Sequence, residues 1–240
     1  MPHLFSVEGI EGSGKGTQLR LIEAYLQSIG VPMIVAREPG GTVYGELIRN
    51  VLKYPWLTIP AVQEAMSSHG DSTGSRLLID DQEIGGRTPE CEMFLFLAAR
   101  AEFFKEVVWP ALKSGKHVFA DRLHDSTRAY QGGGRFEGDP VMRKFINFAN
   151  MVAMLGGLQP IATFFIDISV ETSRRRIGLD SPDKIAVFEK EHDEFFERVR
   201  QEYLLIAEEE PNRFIVINGE RSPEEVFEDI KGHLQLMLLG

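Results

Sequence analysis

The sequence predicts an α/β fold, a three-layer arrangement in which a five-stranded parallel sheet is flanked by helices. Five short apolar runs bounded by turn residues recur along the chain: Leu4–Val7, Pro32–Ala36, His117–Ala120, Thr163–Ile168 and Phe214–Ile217. Several of them are apolar on both faces, which is typical of strands buried in a parallel sheet. Stretches with helical spacing lie between the runs, and strands that alternate with helices form a sheet covered on both sides.

The spacing of apolar residues and the terminal signals predict the helices. Leu19, Ile22 and Leu26 form one apolar stripe, and Gly30 predicts the end of that first helix. Ser222, followed by proline and acidic residues, predicts the start of the last helix. The remaining sequence predicts helices at Tyr44–Leu52, Glu90–Leu112, Val141–Leu155, Glu189–Glu208 and Pro223–Leu238.

Length and composition predict one domain that spans residues 1–240. The chain is 43% hydrophobic and 26% charged, as in ordinary globular domains. Residues 54–89 are rich in glycine and serine and interrupt the alternation, so we expect an insertion on the surface there.

Charge and cysteine content limit the partners and the compartment. A formal net charge of −10 argues against broad binding of nucleic acid, which normally needs a basic face. No apolar run approaches the length that crosses a bilayer, so we expect no membrane partner. Cys91 is the single cysteine, which excludes an internal disulfide and fits a cytoplasmic location.

The most specific motif follows the first strand. Gly9, Gly14 and Lys15 stand in the spacing G-x-x-x-x-G-K of the phosphate-binding loop, or P-loop. Its glycines let backbone N–H groups converge on a phosphate, the helix N-terminus adds positive charge, and the lysine reaches the outer phosphates. The residues predicted to bind a nucleoside triphosphate are Gly9, Gly12, Ser13, Gly14, Lys15, Gly16 and Thr17. Motors, GTPases, transporters and kinases all use this loop, so other motifs must decide among them.

Three further stretches do so: Arg37-Glu-Pro-Gly-Gly-Thr42, Phe96-Leu-Ala-Ala-Arg100, and Asp121-Arg122 with Ala129-Tyr-Gln-Gly-Gly-Gly-Arg135. Together with the P-loop they make the chain similar to the bacterial-type thymidylate kinases over nearly its whole length, except Tyr54–Pro89. The resemblance implies a P-loop kinase that transfers the γ-phosphate of ATP to dTMP, giving dTDP and ADP for dTTP synthesis. It also implies Mg²⁺ as cofactor and a homodimer.

Phe96 and Arg100 are the candidates for binding the base. They are four residues apart on a predicted helix, so they lie on one face. Spacing alone favours a core position for Phe96 and a surface position for Arg100. The resemblance implies instead that Phe96 stacks on thymine and that Arg100 hydrogen-bonds its O4. It further implies that Thr127 and Gln131 meet the base edge and its surroundings.

Asp121 and Arg122 follow a predicted buried strand, and ligands of parallel sheets bind beyond such strand ends. An aspartate there can hold Mg²⁺ through water and an arginine can grip a phosphate, although a turn residue is the alternative for Asp121. The resemblance implies that Glu11 accepts a hydrogen bond from the sugar 3′-hydroxyl. Further residues expected around dTMP are Arg37, Glu38, Arg49 and Ser126, and Glu38 is a second candidate metal ligand.

A basic stretch resembles the mobile lid of these kinases. It runs over about 173–186 and contains Ser173-Arg-Arg-Arg176 and Asp183-Lys184. A solvated charged face is the alternative interpretation. The P-loop carries no arginine, so the resemblance implies that the lid supplies positive charge to the transferred phosphate. The sequence does not decide which of Arg174, Arg175, Arg176 and Lys184 does so. The expected catalytic residues are Lys15, Asp121, Arg122, Arg175 and Arg176.

One departure from the family leaves a second reading open. Lys15 is followed by Gly16 and Thr17, as in adenylate kinases, whereas thymidylate kinases usually have serine or threonine directly after the lysine. With no hydroxyl at position 16, we expect Mg²⁺ to be held mainly by phosphates and water. The alternatives are a nucleoside monophosphate kinase of the adenylate or UMP/CMP type, and a P-loop protein that binds nucleotide without transferring phosphate.

Overall fold

The structure is a computed structural model, and it describes residues 1–53, 87–178 and 191–238. Its strands are β1 (Leu4–Glu8), β2 (Met33–Arg37), β3 (His117–Asp121), β4 (Ala162–Asp167) and β5 (Phe214–Asn218). They form one sheet in the order β2-β3-β1-β4-β5, and every neighbouring pair is parallel. The predicted five-stranded parallel sheet is confirmed, and each predicted strand end lies within one residue of the observed end.

The helices are α1 (Lys15–Ser28), α2 (Val43–Lys53), α3 (Pro89–Phe103), α4 (Trp109–Lys113), α5 (His124–Thr127), α6 (Pro140–Ala153), α7 (Val170–Ile177), α8 (Asp193–Glu209) and α9 (Pro223–Leu238). Two π-helical segments, Phe104–Val108 and Arg128–Arg135, continue α3 and α5. The helix predicted at Glu90–Leu112 is therefore one run of α3, π-helix and α4. Among the described residues, no helix combines the length and apolar character that a membrane span requires.

Each central strand contributes to two cores, because successive side chains of a strand point to opposite faces. In β4, Phe164 packs in the core that contains Ile22 of α1 and Ile230 of α9. The next residue, Phe165, packs in a second core with Tyr203 of α8. Helices therefore cover both faces of the sheet, and the three-layer arrangement is confirmed.

The sheet brings three of the predicted motifs together at the carboxyl ends of its strands. The P-loop follows β1, Glu38 follows β2 and Arg122 follows β3, and β1 and β2 flank β3. In the strand register, Asp121 lies opposite both Val7 and Arg37. The carboxyl ends of these parallel strands therefore place the three motifs side by side, where ligands of such sheets bind.

The π-helical segment Arg128–Arg135 was not predicted from the sequence, where its three glycines look like a turn. A Cβ atom at Gly133 would lie 2.7 Å from Glu202 Cβ, and one at Gly134 would lie 2.4 Å from a ring carbon of Phe195. Both partners belong to α8, so the glycines permit a close contact between this helix and the π-helical segment. That contact fixes the segment that carries Tyr130 and Gln131.

Some predictions fall on residues that the structure does not describe. The insertion predicted at 54–89 lies outside the described residues from 54 to 86, as do the lid residues Asp183 and Lys184. The single domain with an insertion and a lid therefore stays a prediction.

Candidate active site

Two cavities meet at the carboxyl ends of the strands. The larger has a volume of about 630 Å³ and the smaller about 500 Å³. Gly12, Lys15 and Asp121 line both of them. All the residues predicted to surround the acceptor nucleotide line the larger cavity: Glu11, Arg37, Glu38, Arg49, Phe96, Arg100, Arg122, Ser126, Thr127 and Gln131.

The smaller cavity contains most of the predicted triphosphate site. Its lining is Gly12, Gly14, Lys15, Gly16, Thr17, Arg20 and Asp121. Gly9 and Ser13 were also predicted there but do not line the cavity. Gly9 instead accepts a hydrogen bond from Lys15 through its carbonyl, and Ser13 is buried.

Lys15 rests on the loop that carries it. Its Nζ donates to the backbone oxygens of Gly9 at 2.9 Å and Ile10 at 3.1 Å. Burial, followed by repulsion from the guanidinium of Arg122, lowers the pKa of Lys15 to about 8. A phosphate is a better partner for an ammonium than two neutral carbonyls are, so these contacts can be replaced when an anion enters.

Arg122 lines the larger cavity. Its Nη2 donates to Glu11 Oε1 at 2.8 Å and to the Tyr130 hydroxyl at 3.1 Å, and Nη1 donates to Ser126 Oγ at 3.2 Å. The Tyr130 hydroxyl in turn donates to Glu11 Oε2 at 2.6 Å. Burial alone would raise the pKa of Glu11, but Arg122 and Lys15 outweigh it and the pKa lies below its usual range. Glu11 is therefore an acceptor at neutral pH.

The backbone at Arg122 is strained, with a φ of 69° at a residue that is not glycine. Glu8, at the end of β1, stabilises the turn that follows. Its carboxylate accepts from the backbone N–H of Leu123 at 2.7 Å and from Ser126 Oγ at 2.6 Å. Burial, followed by the nearby Asp125, raises the pKa of Glu8. No role was predicted for Glu8 from the sequence.

Asp121 has an unused acceptor. Its Oδ1 is buried and has no hydrogen-bond partner among the described residues, while the side chain lines both cavities. A carboxylate whose side chain borders both cavities can bind the water shell of Mg²⁺. Within ranges 1–53, 87–178 and 191–238, no three His, Cys, Asp or Glu side chains group into a metal site. Asp121 therefore fits a Mg²⁺ ion whose other ligands are phosphates and water.

Arg100 is almost completely buried, with 1% of its surface exposed. Its Nε donates to Glu38 Oε2 at 3.0 Å, and its Nη2 lies 2.7 Å from Glu38 Oε1. Nη1 donates to Thr127 Oγ1 and Asn150 Oδ1, and Nη2 also donates to the backbone oxygen of Leu123. The surface position favoured by spacing alone is therefore wrong. Four hydrogen bonds to protein acceptors and the contact with Glu38 Oε1 surround the guanidinium. Its bond to thymine O4 stays a prediction.

Glu38 is held as the counterion of Arg100. Burial raises its pKa to about 7, against the opposing effect of the guanidinium. These contacts compete with its predicted role as a metal ligand. Phe96, by contrast, is partly buried and lines the cavity, so its ring can contact a ligand.

Glu92 of α3 is a residue of this region that the sequence analysis missed. It is buried and accepts hydrogen bonds from Gln131 Nε2 at 2.9 Å and from Arg135 Nε at 3.0 Å. The signal was its position four residues before Phe96, on the same helix face. Acidic residues are common in the first turn of a helix because they interact favourably with the positive end of the helix dipole. Glu92 therefore did not stand out in the sequence as a site residue.

The arginines of the predicted lid do not share one environment. Arg176 lines the larger cavity, and it donates to the backbone oxygens of Gly12 at 3.2 Å and Gly219 at 3.0 Å. Arg175 is exposed and donates to Thr172 Oγ1 at 3.1 Å, so its catalytic role stays a prediction. Arg174 pairs with Asp193 of α8 at 2.7 Å.

Known proteins resemble this chain over most of its length. A family model described as thymidylate kinase matches residues 7–66 and 70–230. Among similar curated proteins, the thymidylate kinase of Thermosipho melanesiensis is 38% identical over 96% of this chain and 96% of its own length. The thymidylate kinases of Carboxydothermus hydrogenoformans and Kosmotoga olearia are each 37% identical, over 96% and 97% of this chain and 95% of their own lengths.

Proposed function

This chain belongs to the thymidylate kinase family, and from that premise we propose that dTMP binds in the larger cavity and the ATP phosphates in the smaller one. The reaction transfers the γ-phosphate of ATP to dTMP and yields dTDP and ADP. The observation that carries the proposal is the lining shared by the two cavities. Gly12, Lys15 and Asp121 border both, so a phosphoryl group that passes between the cavities stays beside Lys15.

The acceptor is a phosphate oxygen of dTMP, which is largely deprotonated at neutral pH. The reaction therefore needs no general base, and catalysis depends on position and on neutralisation of charge. Lys15, Arg122 and Arg176 supply that charge from three separate elements of the fold. Arg37 lines the outer part of the cavity and adds a further cation near the acceptor phosphate.

Mg²⁺ is part of the proposal. It would supply positive charge between the ATP phosphates, and Asp121 would hold its water shell. Support comes from the side chain of Asp121, which lines both cavities. Glu38 is the weaker candidate because its carboxylate is already the counterion of Arg100.

The nucleoside of dTMP would extend from Glu11 towards α3. Glu11 accepts the sugar 3′-hydroxyl, and Phe96 stacks on the base. Thr127 and Gln131 meet the polar edge of the base, and Arg100 fixes Thr127 from behind through the bond to its Oγ1 at 2.8 Å. Arg49, which donates to the backbone oxygen of Pro39 at 2.8 Å, closes the side of the cavity.

A homodimer is also proposed, and an exposed apolar face on three adjacent helices supports it. Val43 and Leu47 of α2, Phe94 of α3, and Phe145 and Phe148 of α6 are all exposed, with Phe148 at 61%. Helix α3 contacts both α2 and α6, and Phe94 and Phe145 meet edge to face at 6.1 Å. Exposed apolar side chains on adjacent helices favour a self-complementary interface with a second copy of the chain. Phe148→Glu should give a monomer in sedimentation experiments, and an unchanged mass would contradict the assignment.

A cytoplasmic location completes the proposal, and the presence of only one cysteine, Cys91, supports it. The rival reading as an adenylate or UMP/CMP kinase rested on Gly16 alone. The family match favours dTMP over the acceptors of those enzymes.

The experiment that tests the function is an ADP-release assay with ATP and Mg²⁺, in which dTMP, dUMP, AMP, CMP and GMP are offered in parallel. We expect turnover with dTMP to exceed turnover with every other acceptor. Greater turnover with AMP or CMP would contradict the proposal. ATP binding without any acceptor-dependent turnover would indicate a nucleotide-binding protein that transfers no phosphate.

A further inference from the structure

The amide of Gln131 has a fixed orientation. Its Nε2 lies 2.9 Å from Glu92 Oε1, and a carboxylate can only accept hydrogen bonds. The NH₂ branch of the amide must therefore face Glu92. The two branches of an amide point in different directions, so Oε1 is turned away from Glu92, and the side chain lines the larger cavity.

The surroundings of Glu92 hold it in this position. Arg135 Nε donates to the same carboxylate at 3.0 Å, and Arg87 Nη2 lies 3.7 Å from its other oxygen. A flipped Gln131 amide would set its oxygen against the carboxylate, leaving two buried acceptors face to face without a proton between them. Such an arrangement is costly in a buried site, so the flip is suppressed.

We propose that Glu92 is a positioning residue that directs the carbonyl oxygen of Gln131 towards the base, and so makes the cavity select bases that carry an N3–H. Thymine and uracil have this donor, whereas cytosine has an unprotonated acceptor at N3. The inference rests on the proposed function, because it assumes that the larger cavity binds the base of a nucleoside monophosphate.

Thr127 is the hydrogen-bond donor that complements the acceptor of Gln131, and a fixed protein partner again determines its orientation. Arg100 can only donate, and its Nη1 donates to Thr127 Oγ1 at 2.8 Å. The threonine hydroxyl proton must therefore point elsewhere, and the side chain lines the same cavity. A donor at Thr127 and an acceptor at Gln131 match the O4 and N3–H of thymine. Cytosine presents the reverse pattern, and a buried mismatch of this kind is strongly rejected.

Glu92→Gln tests the inference, because a glutamine at this position can present either a donor or an acceptor to Gln131. The matched substrates are dTMP and 5-methyl-dCMP, which keep the same methyl group and differ in the polarity of the base edge. We expect the ratio of their kcat/KM values to fall by about tenfold or more, mainly through a higher KM for dTMP. The KM for ATP should change by less than about twofold, since a purely structural defect would move both.

Two controls separate polarity from the loss of an ion pair. Arg135→Gln replaces the ion pair with a neutral amide donor that can still hold Glu92, and it keeps the bond between Gln131 and Glu92. The ratio should therefore stay within about threefold of wild type. The exchange variant Glu92→Gln with Gln131→Glu restores an acceptor that faces the base, because a carboxylate oxygen replaces the amide oxygen. We expect it to recover most of the discrimination, and it serves as the test if Glu92→Gln alone does not fold.

Several outcomes overturn the inference. One is a folded Glu92→Gln protein that discriminates as wild type does, and another is an exchange variant that prefers 5-methyl-dCMP. A wild-type protein that uses both nucleotides equally would also contradict it. Failure of the proposed function looks different, because wild type would then release no ADP in response to dTMP.

Discussion

The two ends of the larger cavity hold their charged residues in different ways. At the base end, Arg100 and Glu92 are buried and bound to fixed protein partners. At the phosphate end, the side chain of Arg122 is 19% exposed and Lys15 rests on backbone carbonyls. The protein can recognise a neutral base only through hydrogen-bond donors and acceptors whose orientation is already fixed. An incoming phosphate can replace the neutral carbonyl partners of Lys15 and can compete with Glu11 for Arg122, so both cations remain available for the reaction.

The largest effect is expected for Lys15→Met. The variant removes the cation that borders both cavities, so kcat should fall on the order of 10³-fold. The free energy of unfolding should change by about 1 kcal/mol or less, because the lysine's present partners are neutral carbonyls. ADP release and urea denaturation measure the two quantities. Retention of more than about a tenth of the activity would contradict a central role for Lys15.

Arg100→Met should differ from Lys15→Met in having a large effect on stability. It leaves the carboxylate of Glu38 buried without its counterion, so the free energy of unfolding should fall by about 3–5 kcal/mol. Affinity for dTMP should fall while affinity for ATP is retained, as titration calorimetry would show. Equal loss of both affinities would contradict the assignment of Arg100 to the base end.

Arg122→Met is the matched variant at the phosphate end. We expect a loss of about 100-fold in kcat/KM for dTMP, and a smaller loss of stability than for Arg100→Met because the side chain is partly exposed. A larger loss of stability in Arg122→Met than in Arg100→Met would contradict the proposed difference between the two ends of the cavity.

The pH dependence should reflect Lys15, whose pKa is lowered to about 8 in the free protein. The group is cationic below that pKa and loses its charge above it, so kcat/KM for ATP should fall about tenfold per pH unit on the alkaline side. In kcat the alkaline limb should move to higher pH, because bound phosphates favour the charged lysine. Lys15→Arg is the control, since a guanidinium does not titrate in this range. An unchanged alkaline limb in that variant would assign the limb to another group.

The smallest effect is expected for Gly16→Ser. No atom lies within 4 Å of a Cβ added at Gly16, so serine fits there. Its hydroxyl would add an oxygen ligand where the family usually has one, and half-saturation by Mg²⁺ in ADP binding should need about threefold less metal. Calorimetric titration at several Mg²⁺ concentrations would measure this, and weaker binding would contradict the interpretation that position 16 limits coordination.

The sheet could be predicted because its cause is local. Each strand is an apolar run bounded by turn residues, and the alternation with helices determines that the strands are parallel. The P-loop was found from motif spacing and the acceptor residues from the resemblance to the family, and all ten acceptor candidates line one cavity. These features depend on residues that are close in sequence or follow strand ends.

The features that were missed depend on distant residues. Glu92 gains its role from Gln131 and Arg135, which are 39 and 43 positions away. The π-helical segment Arg128–Arg135 forms because α8 packs against its glycines, and no pattern within the segment predicts that contact. Arg100 resembles a surface charge until Glu38 is placed beside it, 62 positions away. Pairing of buried charges therefore needs the tertiary structure.

A crystal structure of the protein with dTMP and ADP would show how each end of the larger cavity holds its ligand. We expect the contacts of Arg100 with Glu38 and of Gln131 with Glu92 to persist unchanged. We also expect Lys15 to leave the carbonyl of Gly9, and Lys15 and Arg122 both to bind phosphate oxygens. A complex in which the buried pairs at the base end rearrange, while Lys15 and Arg122 keep their present partners, would contradict this expectation.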